Sequence, residues 1–180
     1  TAQRLQLLAV GGVSGAGEDR LSRATGLVYS PLNWPETNLA LFSFLLHFPW
    51  EMLQLPLFVV PSPLTGAEAA SHCARAALGD VVITLAAFAG ASLVVGTRHW
   101  IRRMDCRPTV VFLIIGLGIT IVFEYLATGP LNRWAYASLM PVVPLLEVGL
   151  APLLQWLLIP PTLLWIVRRQ LRGAVTTGSA

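Results

Sequence analysis

Residues 39–60 read LALFSFLLHFPWEMLQLPLFVV, an apolar run of the length needed to cross a bilayer, for which about 20 such residues suffice. His47 stands one helical turn before Glu51, and Gln54 stands one turn after it. A helix therefore carries an imidazole, a carboxylate and an amide on one face. In hydrocarbon such groups are costly, and an ionisable residue kept there marks a functional site.

The rest of the chain supports the membrane premise. Of its 180 residues 55% are hydrophobic and only 12% charged, with a mean hydropathy of +0.68, whereas soluble domains carry roughly 25% charged residues. The reading is an all-α integral membrane four-helix bundle of one domain. Further apolar stretches at 76–96, 109–128 and 148–167 supply the other three spans. Residues 1–38 form an extramembrane N-terminal arm lying along the membrane surface near Trp34, 39–172 the four-span domain, and 173–180 a C-terminal tail.

All 12 positive residues are arginines, and with 9 acidic residues they leave a formal charge of +3. In a soluble chain this would suggest nucleic acid; here it is better explained by orientation, and no nucleic-acid partner is assigned. Arg98, Arg102, Arg103 and Arg107 lie between the second and third spans, and Arg168, Arg169 and Arg172 follow the fourth. The Lys/Arg bias marks the cytoplasmic side. Both termini are then inside, and the loops at 61–75 and 129–147 face the periplasm of a bacterial inner membrane. Cys73 and Cys106 show no metal-binding spacing and fall in loops on opposite sides, which argues against a disulfide between them.

With this topology, polar groups from all four spans reach one depth in the outer half. They are His47, Glu51 and Gln54, then Asp80 with Thr84, Glu124 with Thr120, and Gln155. Residues placed independently at helix ends would scatter over both interfaces. The expected catalytic groups are Glu51, His47 and Glu124; the expected binding groups are Asp80, Gln54, Gln155, Arg133, Trp134 and Tyr136. Trp134 and Tyr136 either form a lid over the cluster, with Arg133 answering Glu124 or an anionic substrate, or anchor the chain at the membrane interface. Rival readings take Asp80 and Glu124 as solvated end residues and Glu51 as a neutral acid joining helices; Trp100 and Trp165 are read as interface anchors.

His47 and Glu51 at i, i+4 are also compatible with one metal ion, completed by Asp80, Glu124 or His72. No second His/Glu pair of that kind supports the idea, and no metal is assigned. A single histidine inside a span disfavours a two-histidine haem. No cofactor is assigned, and nucleophile elbows and nucleotide-binding glycine motifs are absent. Gly79, Gly116 and Gly118 offer small surfaces for close packing, and Pro152, Pro160 and Pro161 should kink or interrupt the last helix.

The segments LLHFPWEMLQLPLF, HCARAALGDVVIT, RWAYASLMP and GLAPLLQW resemble those of small bacterial four-helix inner-membrane proteins without an assigned activity. A weaker likeness is to membrane carotenoid cyclases and sterol-isomerase-like proteins. That likeness implies acid-catalysed isomerisation or cyclisation of an isoprenoid-type lipid, with Glu51 and Glu124 as acids, His47 as proton acceptor and Trp134 as a cation-stabilising ring. The alternative is a non-catalytic subunit or assembly factor of a larger respiratory or photosynthetic membrane complex. Membrane lipids are the expected partners in the first case, and other membrane subunits or pigments in the second.

Overall fold

The computed structural model describes residues 34–60, 63–103 and 105–176. The N-terminal arm lies outside the described residues as far as residue 33, as do the last four residues of the tail. Among the described residues four α-helices make up the fold: α1 (Pro35–Gln54), α2 (Gly66–Val95), α3 (Cys106–Thr128) and α4 (Leu150–Thr176). Short 3-10 turns, Leu55–Leu57 and Arg98–Arg102, follow α1 and α2. Between α3 and α4 a two-stranded antiparallel ribbon pairs β1 (Val142–Val143) with β2 (Val148–Gly149).

Local chemistry sets the helix ends. Pro35 occupies the first turn of α1, where its missing N–H costs nothing. Pro56 then stops the α-helix soon after Gln54, six residues short of the expected end, and leaves a 3-10 turn. The second helix starts ten residues earlier than the apolar run suggested, because Thr65 and Glu68 form a capping box. Glu68 accepts from the Thr65 N–H at 2.8 Å, and the Thr65 hydroxyl accepts from the Glu68 N–H at 3.3 Å. Gly96 ends this helix at φ 71°, in the left-handed region that glycine tolerates. The last helix continues through Pro160 and Pro161 without interruption, contrary to one of the expected outcomes.

α1 packs on α2 and α4, and α3 packs on the same two, so the helices close a ring. α2, α3 and α4 are long and apolar enough to cross a membrane. Glu36, Asn38, His47, Glu51 and Gln54 make α1 too polar to join them on composition. Leu53, Val82, Leu93, Ile114, Phe123 and Leu157 are exposed. Outward apolar side chains of this kind suit a lipid solvent.

An apolar core fills the arginine-rich end. It joins Leu39, Phe88, Trp100, Phe112, Leu163, Val167 and their neighbours. Trp100, read as an interface anchor, is instead buried there, stacked obliquely between Phe88 and Phe112 and donating its indole N–H to Ser92 Oγ at 3.1 Å. Trp165 is exposed, with Arg169 over its ring at 5.7 Å.

Two glycines decide how closely the helices approach. A Cβ on Gly116 would lie 1.9 Å from the Trp156 ring, and one on Gly90 would lie 2.7 Å from Ile115 Cδ1. By contrast, Gly79 and Gly118 have no neighbouring atom within 4 Å of an added Cβ, so they do not mediate the close packing read for them.

Candidate functional site

The polar residues of α1, α2 and α4 meet at the end of the bundle opposite the arginines. His47, Gln54 and Gln155 are buried, and Asp80 is 13% exposed at its side chain. Gln155 Nε2 lies 2.8 Å from His47 Nδ1, 2.9 Å from Glu51 Oε1 and 3.0 Å from Asp80 Oδ2. Gln54 Nε2 adds bonds of 2.8 Å to Glu51 Oε1 and 3.3 Å to Gln155 Oε1. Thus Glu51, partly buried, receives two amide donors on one oxygen.

Trp50 fixes the direction of this network. An indole N–H only donates, and that of Trp50 reaches Gln54 Oε1 at 3.2 Å. The other end of the Gln54 amide must then be its NH2 group, donating to Glu51 and to the carbonyl of Gln155. The Gln155 NH2 group consequently points at His47, Glu51 and Asp80. Each amide orientation follows from the one before it, back to a tryptophan whose N–H cannot reverse.

This NH2 group has two hydrogens and three acceptors. His47 Nδ1 also lies 3.3 Å from Asp80 Oδ2, an unfavourable pairing of lone pairs unless a proton sits between them. Glu51 and Asp80 each place an oxygen within 3.0 Å of one nitrogen, so those oxygens are at most about 6 Å apart. At that distance two carboxylates repel when both are ionised. A hydrogen on His47 Nδ1, which one tautomer of the neutral ring supplies, turns the contact with Asp80 into a hydrogen bond and leaves the amide two acceptors, Glu51 and Asp80. Among the described residues no arginine forms an ion pair with this cluster.

Trp156 completes the floor. Its ring centroid is 6.1 Å from that of His47, and the ring rests against Gly116 of α3. Buried polar atoms without a protein partner in the same region are His47 Nε2, Trp156 Nε1 and Thr120 Oγ1. One layer closer to the arginine-rich end, Ser43 and Thr84 join α1 to α2 through a 3.0 Å hydrogen bond.

Glu124 belongs to a separate set of bonds. Tyr136 donates to Glu124 Oε2 at 2.5 Å, and Trp134 Nε1 donates to the same oxygen at 3.4 Å. The Tyr136 oxygen also accepts from the Gly149 N–H at 2.9 Å, which ties the loop to β2. Burial, and then the bond to Glu124, hold the Tyr136 phenol above its ordinary pKa. Arg133, proposed from the sequence as the partner of Glu124, is exposed; its backbone N–H binds the Ala127 carbonyl at 2.7 Å.

The loop crosses the end of α1. Phe58 pairs with Tyr136 in an antiparallel bridge, Val59 N–H binds the Ala135 carbonyl at 2.8 Å, and Ala137 N–H binds the Leu57 carbonyl at 2.9 Å. Trp134 and Tyr136 are therefore held over the same end of the bundle as Glu51. Pro56, by stopping α1, lets the chain turn into this extended pairing.

Among the described residues no group of three or more His, Cys, Asp or Glu side chains is arranged to hold a metal ion. Cys73 and Cys106 are both free. The sequence reading passed over Trp50 and Trp156. A Trp-x-x-x-Gln pair on the face already holding Glu51 was a usable signal for Trp50, whereas the role of Trp156 depends on contact with another helix. Comparison with protein-family models, curated proteins and solved structures finds no match to the chain.

Proposed function

We propose that this is a bacterial inner-membrane protein, with four spans and both termini cytoplasmic, whose outer half houses a proton-transfer site acting on an isoprenoid-type lipid. The observation that supports this reading is the Gln155 NH2 group, which gathers His47, Glu51 and Asp80 around one nitrogen. A proton held among these side chains, with no arginine paired to them, is available to an apolar substrate without competition from bulk water. Glu51 is the general acid and His47 its relay. Trp134 and Tyr136 form the covering loop, and Glu124 anchors it.

The reaction is an isomerisation. The acid gives a proton to one carbon of a substrate double bond, leaving a cation at the other carbon. Loss of a proton from a neighbouring carbon to the conjugate base forms the new double bond and restores the acid. Nothing is oxidised or reduced, and one proton enters as another leaves.

The test uses membranes containing the full chain, incubated in D2O. Extracted apolar lipids should gain deuterium on carbon with the native protein, and Glu51→Gln should abolish the gain while the protein stays folded and monodisperse. Undiminished labelling in Glu51→Gln would overturn the assignment of the acid. Absence of labelling with the native protein would overturn the enzyme reading. Orientation has its own test: single cysteines replacing Gly66 and Ala137 should label from outside intact cells, and one replacing Ala174 should not.

The rival reading, a non-catalytic subunit of a membrane complex, is favoured by one observation. The cluster ties α1, α2 and α4 together through side chains, as structural polar groups in membrane bundles do. It predicts partner proteins in fixed ratio after mild purification, and a Glu51→Gln variant that behaves like the native chain.

A further inference from the structure

Two spaces lie away from the polar cluster, at the arginine-rich end. One is a cavity of about 740 Å³ walled by Val95, Trp100 and Pro108 and bordered by His99, Arg103 and Arg107, with Asp105 the only acid. The other is a groove of about 590 Å³ running along α2 past Leu85, Ala89, Leu93 and Gly96. Thr97 borders both, so they meet at the end of α2.

Three arginines at this end are tied into the fold by hydrogen bonds. Arg98 bonds Glu36, Arg168 bonds the Ile101 carbonyl at 3.1 Å and Thr109 Oγ1 at 2.8 Å, and Arg172 bonds the Arg102 carbonyl at 3.2 Å. Those guanidinium groups serve the fold. The side chains of Arg103 and Arg107 are exposed and form no hydrogen bond or ion pair with any described residue. Two unpaired guanidinium groups and an imidazole around one cavity fit a phosphate, which guanidinium binds through paired hydrogen bonds.

The groove supplies the second half of the argument. Leu85, Ala89, Leu93 and Gly96 recur at turns of one helix and lead from the charged cavity toward the middle of the bundle. Over those residues α2 rises about 16 Å at 1.5 Å per residue, enough for a long stretch of an acyl chain. A free phosphate would use the cavity and leave the groove unexplained.

We infer that this end of the bundle binds one anionic phospholipid, its phosphate held by Arg103 and Arg107 and one acyl chain lying along α2. The site needs a membrane-embedded bundle but not the proton chemistry, so failure of either proposal leaves the other standing. Basic pockets between helices on the cytoplasmic side are suited to such headgroups.

The experiment is native mass spectrometry of the full chain in mild detergent with phosphatidylglycerol, phosphatidylcholine of identical chains, or inorganic phosphate. One phosphatidylglycerol per chain should be retained, and phosphatidylcholine should bind at least about tenfold more weakly, as expected when net headgroup charge decides binding. Arg103→Gln with Arg107→Gln should reduce phosphatidylglycerol retention by a similar factor. Arg75→Gln with Arg133→Gln, at the other end, should not change it. Circular dichroism and gel filtration verify that both double variants are folded. Equal retention of the two lipids, unchanged retention in the Arg103/Arg107 variant, or competition by millimolar inorganic phosphate each overturns the lipid site.

Discussion

The two ends of the bundle use polar groups in opposite ways. At the arginine-rich end, Arg168 and Arg172 bond backbone carbonyls of the turn after α2, and Trp100 is fastened to Ser92. Those bonds satisfy groups that helix ends leave open, around a core of Phe88, Trp100 and Phe112. At the other end, side chains bond mainly to side chains, and one amide serves three acceptors. The first arrangement ties helix ends to a turn, whereas the second brings three titratable side chains around one amide. Bonds to backbone and bonds between side chains are thus concentrated in different halves of one small fold.

Trp156 and Gly116 lie where the halves meet, and breaking that contact should have the largest effect. Gly116→Ala drives a Cβ into the indole ring and should cost on the order of 3 kcal/mol, or prevent folding, as read by thermal unfolding in detergent. Gly118→Ala, with open space around it, should change little. Equal behaviour of the two variants would remove the claimed boundary.

Within the polar half, Gln155→Leu keeps the bulk but leaves His47, Glu51 and Asp80 without their common donor. A loss of about 1–3 kcal/mol is expected, with faster amide exchange at the ends of α1 and α4 nearest the cluster. Unchanged stability would mean that water replaces the amide freely. In the arginine half, Arg168→Gln should cost only about 1 kcal/mol, because the exposed end can rehydrate. Arg133→Gln, an exposed position without a side-chain partner, should be silent in the same assay.

The smallest effect concerns pH. The Tyr136 phenol is held above its ordinary value, so the folded state favours the neutral form. Its contribution is complete below the unfolded value near 10. It falls at higher pH, where the unfolded chain ionises first, and is gone once the folded phenol ionises too. Absorbance at 295 nm should show one tyrosine of the native protein titrating above the others, and Tyr136→Phe should remove that late step.

Much of this was legible in the sequence, and the gaps have physical causes. Four apolar runs and the i, i+4 placement of His47 and Glu51 reveal the helices and one wall of the site. The start of α2 was missed because apolar content does not register a capping box, although Thr65 and Glu68 stood at the required spacing. The end of α1 was placed too late because Pro56 sits inside an unbroken apolar run. The ribbon between α3 and α4, with Glu147 at φ 54°, arises from pairing within a loop that has no alternating pattern. What joins Gln155 to a helix a hundred residues earlier is the register between α1 and α4. That register follows from packing, which no local pattern encodes.

The length of α2 has a consequence of its own. Its 30 residues make a rod of about 45 Å, against a hydrocarbon layer of about 30 Å. Such a rod either leans or stands proud of the lipid, and the choice depends on how thick the lipid is. Asp80 is carried on that rod and bonded to α4 through Gln155, so tilting α2 raises or lowers the acid relative to the headgroups. Bilayer thickness thereby becomes a control on how close Asp80 and its partners stand to water.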